Sequence, residues 1–260
     1  MGFKAFSLGS SPQRIISGMP SVTEMLYSLD LGDRVVGVTT NCNFPPAAKK
    51  KEKIGGFFLN LEKIVSLKPD LIVMVEDAQK RDIQRFRDFG LPVYTINPHN
   101  VLEVMGDIIK LGDVTGTGKR ARALVNEMKR RIAAAKPKEG GLRFLVRRPK
   151  VLVVVGNNPL IVVGGGTFID HIIRRAGAEN LAAGSRAAYP QYSLEKLLKE
   201  DPEYIVISKG MALDDTRWKN LTAVKLQRVL KIDADILSRP GPRVAEAIES
   251  IADFIYGKKN

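Results

Sequence analysis

The stretch that decides the fold is Asn60-Leu-Glu-Lys-Ile-Val-Ser-Leu-Lys-Pro-Asp-Leu-Ile-Val73, because its pattern returns 133 residues later. The second stretch is Ser193-Leu-Glu-Lys-Leu-Leu-Lys-Glu-Asp-Pro-Glu-Tyr-Ile-Val206. Leu, Glu, Lys, Pro, Ile and Val stand at equivalent positions in both. An internal match of this kind indicates that one structural unit occurs twice in the chain.

Each copy predicts a helix start, a proline stop and a buried strand. Asn60 and Ser193 have short polar side chains that accept hydrogen bonds from the free N–H groups of a first helical turn. Pro69 and Pro202 cannot continue a helix. Each proline is followed by an apolar run rich in β-branched residues, which is typical of a strand buried on both faces of a parallel sheet.

Strands alternate with helices in two successive parts of the chain, which predicts an α/β fold made of two parallel-sheet lobes. The pattern over Thr117 to Ala135 predicts a long rigid helix that joins them. We therefore expect an N-terminal α/β lobe over residues 1–100, a helical linker over 101–137 and a C-terminal α/β lobe over 138–260.

The composition limits the class of protein. At 260 residues and 44% hydrophobic content, the chain can bury one large core or two modest cores, and the second agrees with two lobes. No apolar run reaches the ~18 residues of a membrane-spanning helix, and the sequence as given shows no export signal. The net charge of +13 comes with little aromatic interleaving, which favours a solvated basic surface over a nucleic-acid site. An anionic ligand or a membrane surface would also suit this charge.

Patterns for catalysis and metal binding do not emerge. The single cysteine, Cys42, is interpreted as a small polar-loop residue, and neither His99 nor His171 belongs to a histidine pair at metal-ligand spacing. Gly116-Thr-Gly-Lys119 and Gly164-Gly-Gly-Thr167 lack the spacing of phosphate-binding and dinucleotide-binding loops. We expect a protein that is not an enzyme, with no catalytic residue, metal or cofactor. The alternative is an intracellular bilobal enzyme, of nucleotide-sugar or chelatase-like type, which would need a phosphate site or a general base.

Ligands of parallel α/β lobes bind at the carboxyl ends of the strands, so two facing lobes predict a ligand cleft between them. The loops at these ends mix amides, aromatic rings and an acidic and basic pair, which suits a large, partly apolar small molecule. Phe44, Tyr189 and Arg239 are the residues whose type favours a ligand role over a turn role. The predicted ligand-binding residues are Met19, Pro20, Asn41, Asn43, Phe44, Phe57, Asn157, Tyr189, Asp235 and Arg239.

Several motifs together resemble one family, the class III substrate-binding proteins of ABC importers for vitamin B12, ferric siderophores and haem. The resemblance covers nearly the whole chain. The motifs that carry it are Pro20-Ser-Val-Thr-Glu24, Leu31-Gly-Asp-Arg-Val-Val-Gly-Val38, Phe44-Pro-Pro46, Asn60-Leu-Glu62, Leu67-Lys-Pro-Asp70, Gly177-Ala-Glu-Asn180 and Tyr189-Pro-Gln191.

The resemblance implies an extracytoplasmic protein, either periplasmic or anchored at the cell surface, that acts as a monomer and delivers a ligand to the transmembrane dimer of an ABC importer. Family members present one surface glutamate per lobe to arginines of the importer, and the matching residues here are Glu62 and Glu195. The other interpretation is that both glutamates favour helix starts through the helix dipole.

The resemblance also implies a corrinoid ligand. Phe44 matches an aromatic pocket position, and Tyr189 stands where a Trp precedes Pro-Gln in the family. However, Asn41 replaces an aromatic residue, and Gly56 falls where a Trp is expected, with Phe57 adjacent. Fewer rings leave less apolar area for a corrin face, so a ferric siderophore or haem is the alternative ligand.

Overall fold

The computed structural model describes residues 11–135, 147–213 and 216–257. The chain forms two compact units, each with its own sheet, which confirms the predicted α/β fold of two lobes. The first unit comprises Met1–Glu127 with Pro240–Pro242, and the second comprises Met128–Arg239 with Arg243–Asn260. The predicted boundary between residues 137 and 138 lies outside the described residues.

The first unit contains a five-stranded sheet in the order β3-β2-β1-β4-β5, with every neighbouring pair parallel. Because the strands are parallel, their carboxyl ends meet at one edge of the sheet. The strands are β1 (Ile15–Ser17), β2 (Val35–Val38), β3 (Glu52–Lys53), β4 (Leu71–Val75) and β5 (Val93–Ile96). The helices are α1 (Pro20–Ser28), α2 (Leu61–Ser66), α3 (Glu76–Asp88) and α4 (Val101–Thr115), followed by α5 (Gly118–Ala135), which continues into the second unit.

The second unit contains the strands β6 (Lys150–Asn157), β7 (Leu160–Val162), β8 (Glu179–Asn180), β9 (Tyr204–Ser208) and β10 (Val229–Ile232). The sheet order is β10-β9-β6-β7, and β8 pairs with β6. β7 is antiparallel to β6, because only Asn158 and Pro159 connect them and so short a link allows a hairpin but no crossover. The helices are α6 (Phe168–Arg175), α7 (Leu194–Glu200), α8 (Thr222–Lys225), α9 (Ala234–Ser238) and α10 (Val244–Tyr256).

The two copies of the repeat begin their helices in the same way. The Asn60 side chain accepts a hydrogen bond from the backbone N–H of Lys63 at 2.9 Å, and α2 follows. The Ser193 side chain accepts the equivalent bond from Lys196 at 3.1 Å, and α7 follows. The predicted helix starts are therefore confirmed.

The strand halves of the repeat also correspond. β4 lies beside β1 at the centre of the first sheet, and β9 lies beside β6 at the centre of the second. In each strand the first four residues are buried and the fifth is partly buried. One consequence was not visible in the sequence: the residues before the two prolines, Lys68 and Asp201, both have left-handed backbone, with φ of 46° and 40°.

Helix α5 agrees with the helix predicted over residues 117–135, and its 18 residues span about 27 Å. One stripe of the helix is buried, and the remaining positions are mostly charged. The stripe consists of Ala121, Leu124, Val125, Met128 and Ile132. Among the helices in the described part of the chain, none has the length and apolar character to cross a membrane.

Each unit has an apolar core to which the repeat contributes a fully buried helix residue, Ile64 in the first and Leu197 in the second. Removing such a side chain to alanine typically costs about 2–5 kcal/mol. Trp218 packs in the core of the second unit and is 3% exposed.

The left-handed residues allow a test of the shared geometry. A left-handed backbone costs a residue with a Cβ roughly 1–2 kcal/mol, so we expect Lys68→Gly to keep or raise the free energy of unfolding. Asp201→Gly should lower it, because the Asp201 carboxylate also accepts a hydrogen bond at 2.8 Å from the backbone N–H of Thr222, where α8 begins. Urea denaturation of both variants measures the difference. Equal effects of the two substitutions would contradict this account.

Candidate ligand-binding site

The turn after β1 lies at the carboxyl edge of the first sheet and is built by close backbone packing. The Gly18 N–H donates to the carbonyl of Val73 at 2.9 Å, and the Gln79 side chain donates to the carbonyl of Gly18 at 2.9 Å. A Cβ at Gly18 would lie 3.1 Å from the Val73 oxygen. Met19 and Pro20 follow, half-buried, as the N-cap and first residue of α1.

The loop after β2 is held by a buried thiol. Cys42 is 1% exposed, and its Sγ lies 3.1 Å from the hydroxyl oxygens of both Thr23 and Thr39. Cys42 therefore lies in a loop, as interpreted from the sequence, and its thiol is buried between two hydroxyl groups. The flanking residues Asn41 and Asn43 are both exposed, so two amide side chains lie at the surface on either side of the buried Cys42.

Exposed aromatic rings continue this surface. Phe44 is 40% exposed, and Phe57 and Phe58 are 90% and 72% exposed with their rings edge to face at 5.0 Å. The loop that carries Phe57 and Phe58 is closed by a bridge between Gly55 and Leu59. Gly55 has φ of 116°, and a Cβ there would lie 2.3 Å from the Phe58 carbonyl oxygen, so this turn requires glycine.

Sequence reasoning missed a polar cluster at the ends of β4 and β5. The Asn97 side chain donates to the Asp77 carboxylate at 2.8 Å, and His99 Nε2 lies 3.5 Å from the same carboxylate oxygen. Hydrogen bonds from Asn97 and from Lys80 lower the pKa of Asp77. The signal in the sequence was the position of both segments directly after buried strands of a parallel sheet.

In the second unit, the predicted residue Asn157 is the last residue of β6, and the predicted residues Asp235 and Arg239 follow β10. The Asn157 side chain donates to the carbonyl of Ala212 at 2.7 Å. The Arg239 guanidinium donates to the Asp235 carboxylate at 2.7 Å, one helical turn away across α9. The predicted acidic and basic pair is therefore formed, and the Arg239 side chain is only 12% exposed.

Tyr189 lies elsewhere in the second unit. The carbonyls of Ala188 and Pro190 accept hydrogen bonds from Gly164 at 2.8 Å and Val162 at 3.1 Å, so the segment runs along the outer edge of β7. The Tyr189 side chain is 54% exposed. The phenol is thus presented from the side of this sheet, next to β7.

The two glutamates of the repeat are exposed in the first turns of α2 and α7. The lysine that follows each one is held by a different acid: Lys63 pairs with Glu52 at 2.7 Å, and Lys196 lies 3.8 Å from Glu200. Within residues 11–135, 147–213 and 216–257, neither Glu62 nor Glu195 has a hydrogen-bond or ion-pair partner.

The remaining chemical candidates are easily placed. Across the described ranges, no group of three or more His, Cys, Asp or Glu side chains could hold a metal ion. His171 lies half-buried on α6. Gly164 and Gly165 serve close packing, because a Cβ at either would lie 2.2 or 2.1 Å from the carbonyl oxygen of Ala187 or Ala183.

The sequence pattern of the periplasmic binding protein family matches residues 15–236. An uncharacterized ABC transporter substrate-binding lipoprotein of Bacillus subtilis is 33% identical over 258 residues, which cover 96% of this chain and 82% of that protein.

Two solved structures share the fold of this chain. The periplasmic vitamin B12-binding protein of Vibrio cholerae superimposes with a TM-score of 0.81 at 26% identity, covering 94% of this chain and 97% of the other. A periplasmic heme-binding protein of Pseudomonas aeruginosa superimposes with a TM-score of 0.79 at 26% identity, covering 96% and 94%. By its sequence pattern and its fold, the chain belongs to the periplasmic binding protein family.

Proposed function

We propose that this protein captures a corrinoid outside the cytoplasm, in the periplasm or anchored at the membrane surface, and delivers it as a monomer to an ABC importer. The family establishes the general function: the chain is a substrate-binding protein of an ABC transporter, in the class that serves vitamin B12, haem and iron chelates. Transport proteins of this kind are binding proteins rather than enzymes.

The observation that carries the corrinoid proposal is the surface after β2 and β3. It combines exposed rings, Phe44, Phe57 and Phe58, with exposed amides at Asn41 and Asn43. A corrinoid offers an apolar macrocycle face with amide groups around its rim, so rings and side-chain amides are the complementary groups.

The charge of the candidate residues also favours a neutral macrocycle over an anionic ferric siderophore. An anionic chelate is usually recognised by basic side chains that are free to pair with it. Arg239 is instead paired with Asp235 and mostly buried. The pair supports a ligand that brings no large negative charge of its own.

Haem is the second candidate, and Tyr189 is the observation that favours it. A tyrosine oxygen can serve as an axial ligand of haem iron, and the Tyr189 phenol is more than half exposed. A corrinoid needs no such ligand from this residue, so Tyr189 distinguishes the two proposals.

A titration tests the corrinoid proposal. We expect cyanocobalamin at a hundredfold excess over Kd to raise the free energy of unfolding by about 2.7 kcal/mol, because it binds the folded state alone. Phe57→Ala should weaken binding about tenfold, through the loss of apolar contact area. The matched control is Phe89→Ala, which removes a 66% exposed ring at the C-terminal end of α3 and should leave the affinity for cyanocobalamin unchanged.

The same titration with haemin completes the test. If haem is the ligand, haemin will bind, cyanocobalamin will not shift the melting temperature, and Tyr189→Phe will abolish the visible spectrum of a tyrosine-ligated iron. Retention of full cobalamin affinity in Tyr189→Phe supports the corrinoid proposal.

We also propose that Glu62 and Glu195 dock the protein onto the two transmembrane subunits. Both carboxylates are exposed, occupy equivalent positions of the repeat and are left unneutralised by their neighbouring lysines. Two equivalent acidic groups suit a two-fold symmetric partner, where contacts between glutamate and arginine fix the register of a reversible complex.

We expect the double variant Glu62→Arg with Glu195→Arg to abolish uptake into importer-containing proteoliposomes, because like charges would then face each other, while the affinity for cyanocobalamin stays the same. The control is Glu127→Arg with Asp253→Arg, which changes one exposed acid in each unit by the same charge and should transport normally. Loss of cobalamin affinity in the first double variant would instead place these glutamates in the ligand site.

A further inference from the structure

We infer that Lys49, Lys50 and Lys51 form a contact for anionic lipid headgroups, which brings this protein to the membrane surface beside its importer. We call these three residues the lysine cluster. The inference deepens the proposed delivery function and rests on it, because a protein that unloads its ligand at a membrane protein works within reach of the bilayer.

The lysine cluster is held on a fixed support. It lies at the end of a short 3₁₀ helix, Pro46–Lys50, whose Ala48 is fully buried. The Ala48 N–H donates to the carbonyl of Pro45 at 2.9 Å, and the Lys51 N–H donates to the carbonyl of Ala48 at 3.2 Å. The turn therefore fixes where the lysine side chains leave the surface.

The cluster is not neutralised by neighbouring side chains. Lys49 and Lys50 are exposed and Lys51 is half-exposed, and within the described ranges none of the three ammonium groups has an ion-pair or hydrogen-bond partner. The adjacent acid, Glu52, is occupied by Lys63 at 2.7 Å. The Lys53 ammonium donates to the Ala48 carbonyl at 3.2 Å, which places a cation at the C-terminal end of the short helix. The helix end is therefore already stabilised without the charges of the lysine cluster.

The same ion pair connects the cluster to the proposed docking residue. Glu52 directly follows the cluster, and its partner Lys63 is the neighbour of Glu62 in the first turn of α2. The Lys63–Glu52 ion pair therefore joins the sequence neighbours of the cluster and of Glu62 within the first unit.

Lipid headgroups are the partner that this chemistry favours. Three flexible ammonium groups without a shaped pocket recognise charge density rather than the geometry of one molecule. A bilayer with anionic lipids offers that charge as a continuous surface, and each lysine near such a surface strengthens binding roughly fivefold. The attraction acts over about 8 Å at physiological ionic strength.

Co-sedimentation with lipid vesicles at low ionic strength tests the inference. The full chain should bind vesicles that contain phosphatidylglycerol and should bind vesicles of phosphatidylcholine alone much more weakly. The triple variant Lys49→Gln, Lys50→Gln, Lys51→Gln should bind the anionic vesicles about 100-fold more weakly. The control triple variant, Lys199→Gln, Lys219→Gln, Lys225→Gln, removes three exposed charges from the second unit. Its affinity for the anionic vesicles should fall by less than about fivefold.

Each other outcome overturns the inference. Equal losses in the two triple variants would mean that net charge alone drives binding. Full vesicle binding by the cluster variant, with weaker binding only to the importer in phosphatidylcholine nanodiscs, would make the partner an acidic surface of the importer. Because the vesicles contain neither corrinoid nor importer, the result is independent of the cobalamin titration. A melting curve of each variant establishes that it is folded.

Discussion

Two capping hydrogen bonds, from Lys63 N–H to Asn60 and from Lys196 N–H to Ser193, fix where α2 and α7 begin. Each helix then ends ahead of a proline, and the chain enters a buried strand beside the first strand of its sheet. A cap is a local interaction that contributes roughly 1 kcal/mol, yet its position sets the register of everything that follows.

Within each unit, the capped helix start lies close to a loop that is a candidate for ligand binding. The Asn60 N–H donates at 2.8 Å to the carbonyl of Ile54, which directly follows β3, so α2 starts beside the aromatic loop. The backbone N–H of Tyr192, the residue before the Ser193 cap, donates to the carbonyl of Leu160 at 2.9 Å, next to the end of β6. In both units a proposed docking glutamate thus lies near loops that follow strands, where ligands of α/β proteins bind.

Much of the fold could be predicted from the sequence because its signals are local. The caps at Asn60 and Ser193, the stops at Pro69 and Pro202 and the β-branched runs each act within a few residues. Other features depend on distant partners and left no local signal. The buried thiol of Cys42 depends on Thr23, and the edge segment around Tyr189 depends on the hairpin that makes β7 antiparallel.

The residues of the candidate site also differ in whether their partners are local or distant in sequence. The Asp235 and Arg239 pair was expected from two residue types in one short loop segment, whereas the cluster of Asp77 with Asn97 forms only when β4 and β5 lie side by side. The amount of exposed ring surface also depends on the folded loop, since Phe57 and Phe58 are held outward by the turn at Gly55. Residue types in loops therefore indicated which residues could bind a ligand. Only the folded structure shows which of those residues lie on the same surface.

Hydrogen exchange measured by mass spectrometry, with and without cyanocobalamin, tests the central claim most directly. If the loops after β2 and β3 hold the ligand while the starts of α2 and α7 remain free for the importer, the ligand will slow exchange over residues 39–46 and 55–58. Exchange at the first turns of α2 and α7 will stay unchanged. Protection confined to those first turns, or no protection in either loop at saturating ligand, would contradict the account.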